Sequence, residues 1–212
     1  MDAKYWIIVG AGGFSREVIC WADDAARHGT APPIRGYLLD SGYAPLSSAY
    51  GLPWLGGLDD YDPQPGDACL VAVSDPVAKR KMVSRLQARG ANFSSLVHPS
   101  AVIAKTAVLG SGCVVCPHSL LSADVILGDF ITVNGMSSIG HDCIVGAYTT
   151  LSAHVDITGG VTVGESVFFG SGARVLPGLT VGNGAKVGAG SVVMRSVQAG
   201  VTVYTTPARK LC

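Results

Sequence analysis

From Ala101 to Ser196 the chain divides into sixteen consecutive six-residue units without an insertion: AVIAKT, AVLGSG, CVVCPH, SLLSAD, VILGDF, ITVNGM, SSIGHD, CIVGAY, TTLSAH, VDITGG, VTVGES, VFFGSG, ARVLPG, LTVGNG, AKVGAG and SVVMRS. The third residue is Ile, Leu, Val or Phe in every unit, and the fourth is Gly in eight. A strict period of six suits neither an α-helix, with its period of about 3.6, nor a long strand, with its period of about 2. It is the hexapeptide pattern of a parallel β-helix. A short strand turns one aliphatic side chain inward, and a small or Gly fourth residue is expected to permit the sharp turn that follows. Three units close one triangular coil, and coils stack at the strand spacing of about 4.8 Å. Stacking predicts inward ladders such as Leu121, Ile139, Ile157, Val175 and Val193. Burying each contributes about 1.5–3 kcal/mol before chain entropy is subtracted. Residues 101–199 supply between five and six coils.

The chain before this repeat has another rhythm. "KYWIIVG" reads as a buried strand, and a Gly-rich turn leads into a helix whose apolar stripe is Val18, Ile19, Ala22 and Ala26. "IRGYLLD" and "ACLVAVSD" read as two further strands, and "PVAKRKMVSRLQARG" as a helix with Pro76 in its first turn and Gly90 closing it. "FSSLVHP" is a short strand leading out. Alternating strands and helices predict a small α/β domain with a mostly parallel sheet. The chain thus divides into residues 1–97 and residues 98–212.

Composition excludes several partners. With 15 basic and 15 acidic residues the formal net charge is zero, so nothing favours nucleic acid. No apolar run is long enough to span a bilayer, and the N-terminus lacks the shape of a signal peptide. Cys20, Cys69, Cys113, Cys116, Cys143 and Cys212 form no secreted disulfide framework, which points to the reducing cytoplasm. Cys113 and Cys116 make a lone C-x-x-C at positions that take small residues, and read as packing.

Two places could carry chemistry. His141, with Asp142 directly behind it, lies two residues past inward-pointing Ile139, so its ring should project outward. Its stacked neighbours Ala123 and Gly159 are small, which would leave room for a ligand. His118 and His154 fall at one corner two coils apart and read as corner residues, with Met136 between them. The repeat contains no H-x-x-x-x-H pair, so no metal site is expected. The second place is "GAGGFSRE", between a strand and a helix, where backbone N–H groups can receive an anionic or polar ligand. Ser15 stands where a dinucleotide fingerprint has its third Gly. Asp40, ending the second strand, could accept from a ribose or base, or cap a loop.

The segments "IIVGAGGFSREV", "LLD", "LVHPSAVI", "NGMSSIGHDCIVGAYTTLSAHV" and "VGAGSVV…TPARK" together resemble the sugar O-acyltransferase family related to sialic acid O-acetyltransferases. This family includes N-acetyltransferases of nucleotide-linked 4-amino-4,6-dideoxy sugars. The resemblance spans nearly the whole chain in order. It implies a Rossmann-like N-terminal domain holding the nucleotide, a left-handed β-helix, a homotrimer, and acetyl-CoA lying between neighbouring prisms. Carried over by motif, His141 is the general base and Asp142 the carboxylate beside it. Asn134 is placed near the sugar, and His154 near the thioester. Gly12, Gly13, Phe14 and Asp40 fall on the nucleotide side, and Gly170 and Gly188 where backbone approaches CoA. The tail departs from the family pattern: Thr205 and Thr206 precede Pro207, Ala208 and Arg209 where Gly-Asn is usual.

The expected activity is acetyl-CoA-dependent N-acetylation of the 4-amino group of a nucleotide-linked sugar. An imidazole suits proton removal from an attacking amine near neutral pH. The alternatives are O-acetylation of a sialic acid or similar sugar, and a non-catalytic trimeric scaffold. Residues 41–66 are expected to shape the choice among UDP, dTDP and GDP, but nothing in them reads as a code.

Overall fold

The computed structural model describes residues 3–206. It opens with a three-stranded parallel sheet of order β2-β1-β3, formed by β1 (Tyr5–Val9), β2 (Ile34–Leu38) and β3 (Asp67–Val71). Residues of β1 alternate between two cores, as a strand buried on both faces must. Trp6 and Ile8 pack with Val18, Ile19, Ala22 and Ala25 of helix α1 (Gly13–Arg27). Ala25, rather than the expected Ala26, completes that stripe. Ile7 and Val9 pack with Val83 and Leu86 of helix α2 (Pro76–Ala88). Helix α2 begins as its sequence dictates: Asp75 caps it by accepting from the Ala78 N–H at 2.8 Å, and Pro76 occupies the first turn.

The chain enters the repeat at Leu96–Val97, which pairs in parallel with Val114–Val115. From there two-residue strands follow one another to Thr202–Val203 and stack into three sheets of seven, six and five strands. The result is a left-handed parallel β-helix of about six turns. Pairing joins residues 18 apart, as in Thr132 with Thr150, until the last coil, where Lys186 pairs with Thr202. The expected ladder is present: Ile139 pairs with Leu121 and Ile157, and Val175 with Ile157 and Val193.

The unit works differently from the sequence reading in two respects. The first residue points inward as well as the third. Cys113, Val125, Ile131, Cys143, Val161 and Val167 are fully buried in the prism core. Second, the left-handed turn falls on the sixth residue, not the fourth. His118, Asp124, Phe130, Met136, Asp142, Tyr148, His154 and Ser166 all have φ between 54° and 63°. Glycine recurs at the fourth position for space. A β-carbon on Gly146 would sit 2.5 Å from the Gly164 carbonyl carbon, and one on Gly170 would sit 2.5 Å from the Ala189 nitrogen.

The α/β unit lies against the outer face of the seven-stranded sheet. Val114 and Cys116 join the α1 core, and Phe130 joins the α2 core. Polar ties cross the joint. The Lys79 ammonium donates to the Phe130 carbonyl at 3.0 Å and to the Thr132 and Thr150 hydroxyls at 2.9 Å each. Arg80 pairs with Glu165 at 2.7 Å and lies 4.3 Å above the Tyr148 ring centroid. His98 Nε2 lies 2.9 Å from Asp24 Oδ2 on α1. Among the described residues, no helix is long and apolar enough to cross a membrane.

Candidate active site

His141 occupies the fifth position of its unit, just past the strand Ser138–Ile139, and its ring projects from the prism as expected, 68% exposed. Its Nδ1 lies 2.6 Å from Asp142 Oδ2. An ionised carboxylate can only accept, so Nδ1 carries the hydrogen and Nε2 keeps its lone pair in the neutral ring. A carboxylate on Nδ1 fixes the tautomer and orientation of the imidazole. The space over Gly159 is not left for a ligand, as the sequence suggested. The imidazole itself fills it, and a β-carbon on Gly159 would lie 2.5 Å from Nε2.

The other prism candidates line a different corner. Asn134, Gly170 and Gly188 take fourth positions on one edge at intervals of 36 and 18 residues, and His154 lies one coil beyond Met136 at the same corner. That edge precedes the strand Ser138–Ile139, whereas His141 follows it, so one coil does not bring Asn134 or His154 into hydrogen-bonding contact with His141. Asn134 Oδ1 accepts from the Gly135 N–H at 2.7 Å. His154 is exposed with φ 61°. Stacking accounts for glycine at 170 and 188: above Gly188 a β-carbon would meet the Tyr204 β-carbon at 2.9 Å. Thr205 and Thr206 are exposed, and Pro207, Ala208, Arg209 and Cys212 lie outside the described residues.

A second site lies in the α/β unit. A cavity of about 230 Å3 opens at the carboxyl ends of β1, β2 and β3, lined by residues 10–15, Leu38 to Asp40, Tyr43 and residues 72–74. With strand order β2-β1-β3, the chain reverses direction across the sheet between β1 and β3, the position where open α/β sheets hold ligands. Gly12 and Gly13 face this space. A β-carbon on Gly12 would meet no atom within 4 Å, and the residue has φ −74°, so neither backbone nor packing requires glycine there. Phe14 lies edge-on to Trp21, with centroids 6.2 Å apart. Ser15 donates to the Ala72 carbonyl at 2.8 Å, fixing α1 to the end of β3.

Asp40 lines the cavity, but its oxygens are engaged. Oδ1 accepts from the Leu58 N–H at 3.0 Å and from Arg85 at 3.1 Å, and Oδ2 accepts from Arg85 at 2.6 Å. The Arg85 hydrogen bonds hold its carboxyl below the usual carboxylate range. The same guanidinium grips Asp59.

Comparison with known proteins decides the family. The bacterial transferase hexapeptide (six repeats) family matches residues 160–195. The acetyltransferase domain of PglB from Neisseria gonorrhoeae FA1090, solved with acetyl coenzyme A, is 30% identical with a TM-score of 0.84, covering 99% of this chain and 100% of that one. PerB from Caulobacter crescentus, solved with CoA and GDP-perosamine, is 32% identical with a TM-score of 0.83, covering 96% and 95%. The chain belongs to the hexapeptide-repeat family of sugar acetyltransferases. WeeI from Acinetobacter baumannii AYE, at 28% identity and a TM-score of 0.79 over 98% and 99%, shares the whole architecture. No curated protein sequence matches the chain.

For this acetyltransferase the buried cysteines offer no activated nucleophile. Cys143, next to Asp142, turns inward, and its thiol lies 3.0 Å from the Thr158 carbonyl. Burial pushes the thiols of Cys69, Cys113, Cys116 and Cys143 upward. The sequence reading missed Lys79 and Arg85. Lys79 was detectable, since it shares the helical stripe of Pro76, Val83 and Leu86. Arg85 was not, because its partners lie 26 and 45 residues away.

Proposed function

We propose that this protein transfers the acetyl group of acetyl-CoA to the 4-amino group of a nucleotide-linked amino-deoxy sugar. The observation that carries the reading is the exposed His141–Asp142 pair, with Nδ1 bound to the carboxylate and Nε2 available to accept a proton. The amine nitrogen attacks the thioester carbonyl, and the new C–N bond forms as its proton passes to Nε2. Collapse of the tetrahedral intermediate breaks the C–S bond, and the imidazolium returns the proton to the CoA sulfur. No acyl-enzyme is formed. A backbone N–H of the prism stabilises the oxyanion.

In this reading Gly12, Gly13 and Phe14 border the nucleotide, and Asp40 shapes its cavity through Arg85. Asn134 faces the sugar, and His154, Gly170 and Gly188 line the CoA edge. That edge and His141 lie on different corners of one prism, so acetyl-CoA spans neighbouring prisms of a homotrimer. Exposed Val108, Ile126 and Ile144 form one stripe on the five-stranded sheet, and Val102 and Leu120 another on the six-stranded sheet, surfaces suited to such packing. The compartment is the cytoplasm, and no metal takes part.

The test is acetyl transfer from acetyl-CoA to UDP-, dTDP- and GDP-linked 4-amino sugars, followed by mass spectrometry, with hydroxyl-only sugars alongside. The expected product is an N-acetylated nucleotide sugar. Acetylation of hydroxyl sugars alone would move the protein to O-acetyl transfer, and absence of both transfer and CoA binding would leave a scaffold.

A further inference from the structure

We infer that Gly159 is a positioning residue for the reaction: its missing side chain is the seat of the His141 imidazole. The inference rests on the reading of His141 as general base. An ideal β-carbon on Gly159 would lie 2.5 Å from Nε2, 2.7 Å from Cε1 and 3.1 Å from Cδ2 of His141. Three ring atoms therefore cover the glycine, and the nitrogen that must receive the proton is the nearest.

Within the chain itself, neither the backbone angle nor stacked backbone calls for glycine here. Its φ lies outside the left-handed region, which belongs to Gly160, so any residue fits the backbone. No stacked backbone atom comes nearer than the ring, whose third atom is at 3.1 Å, unlike at Gly140, whose β-carbon would meet the Gly159 nitrogen at 2.6 Å. Of the sixteen fifth positions in the repeat, only 135 and 159 are glycine; the others include Lys, Asp, Glu and Arg. A β-carbon on Gly135 would have its nearest neighbour, the Pro117 oxygen, at an ordinary 3.5 Å. Of these two glycines, only Gly159 is overlaid by a side-chain ring.

The seat is rigid. The Gly160 N–H donates to the His141 carbonyl at 2.8 Å, and the Gly178 N–H donates to the Gly159 carbonyl at 3.0 Å. Asp142 holds the ring by Nδ1, and Gly159 supports its face. A carboxylate bond alone leaves an exposed ring free to swing about its Cα–Cβ bond, and the second contact fixes Nε2 in place. A methyl group at 159 pushes the ring outward without straining the backbone, since the obstructing atoms end a flexible, exposed side chain.

The experiment compares wild type, Gly159→Ala, His141→Ala and the double variant. Steady-state rates use acetyl-CoA with the nucleotide-linked amino sugar identified by the panel above. Misplacing a reacting group by about 1 Å costs on the order of 10- to 100-fold. Gly159→Ala should lower kcat by that factor, with the KM of both substrates changing less than about twofold and the melting midpoint unchanged. In protein carrying 13Cε1-labelled histidine, the His141 resonance, assigned by its loss in His141→Ala, should shift. Its contact with the Gly159 α-protons in wild type should be directly visible. In the His141→Ala background, Gly159→Ala should cost nothing further. Wild-type kcat with an unmoved resonance would overturn the proposal, as would a full additional loss in the double variant. Full turnover in His141→Ala would instead remove the general-base reading, and the positioning role with it.

Discussion

The Lys79 ammonium reaches from α2 across the joint between the two bodies and donates to the Thr150 hydroxyl at 2.9 Å. With bonds to Phe130 and Thr132 it uses all three donors on neutral acceptors, in a side chain only 1% exposed. Lys79→Ala should destabilise the protein by about 2–4 kcal/mol, by opening a cavity and orphaning the Phe130 carbonyl. Lys79→Met, which keeps the packing, should cost about half as much. Thermal unfolding checks the ranking, and equal losses would mean that packing contributes little.

The same lysine makes stability depend on pH. Burial draws its pKa down to about 7, against a weaker upward pull from Cys113, Asp75 and Cys116. The unfolded ammonium titrates near about 10.4. Between those values the unfolded chain holds a proton that the folded one lacks, so the lysine's contribution rises with pH across this window and is lost as pH falls through about 7. The stability of wild type relative to Lys79→Met should therefore increase from pH 7 to pH 9.5. A flat difference would show that the three acceptors keep the ammonium charged.

Arg85 joins Asp40, at the mouth of the cavity, to Asp59 in the following loop. Arg85→Ala should raise the KM for the nucleotide sugar roughly tenfold, on the order of 1.4 kcal/mol, while the KM for acetyl-CoA stays put. Lysine should not restore it, because a point charge cannot fork between two carboxylates. Asp40→Asn should add little to Arg85→Ala if Asp40 acts through the clamp. A full further loss would make Asp40 a direct ligand of the nucleotide.

Two kinds of glycine separate in the repeat. Gly146→Ala places a β-carbon 2.5 Å from backbone of the next coil, and Asn should be no better. The cost should be about 3 kcal/mol or more. Gly178 has φ 69° with nothing within 4 Å of its β-carbon position. There Ala should cost only about 1–2 kcal/mol, and Asn less. Unfolding midpoints give the order, and a reversed order would place the turn back at the fourth residue.

That distinction shows what the sequence could disclose. The β-helix was legible because one inward aliphatic recurs in every unit, and an error at one unit is corrected by its neighbours. The left-handed sixth position was not legible, since Phe130, Met136 and Tyr148 occupy it alongside Asp and Gly. His141 stood out as a polar fifth residue between small stacked neighbours. The engagement of Asp40 by Arg85, the burial of Lys79 and the seat on Gly159 depend on residues brought together from distant segments, where no local period operates.

Asp142 combines a strained backbone with the chemical task proposed for it, which allows the two to be tested apart. Its φ of 59° is the sixth-position turn, and its stacked neighbours in the next two coils, Gly160 and Gly178, meet the same turn with glycine. Asp142→Gly should therefore relax the backbone and leave the melting midpoint equal or higher, by up to about 1–2 kcal/mol of strain. It should also lower kcat, because the imidazole loses the carboxylate that fixes its tautomer and supports its charge. Asp142→Asn keeps a side chain tolerant of the left-handed turn but lacks the charge, and should lose kcat about equally. His141→Ala should be more severe, by about 100- to 10,000-fold, the usual contribution of a general base. A stabilised Asp142→Gly enzyme with full kcat would show that the aspartate serves neither role. A stabilised but slow one would show that this turn retains strain for the chemistry.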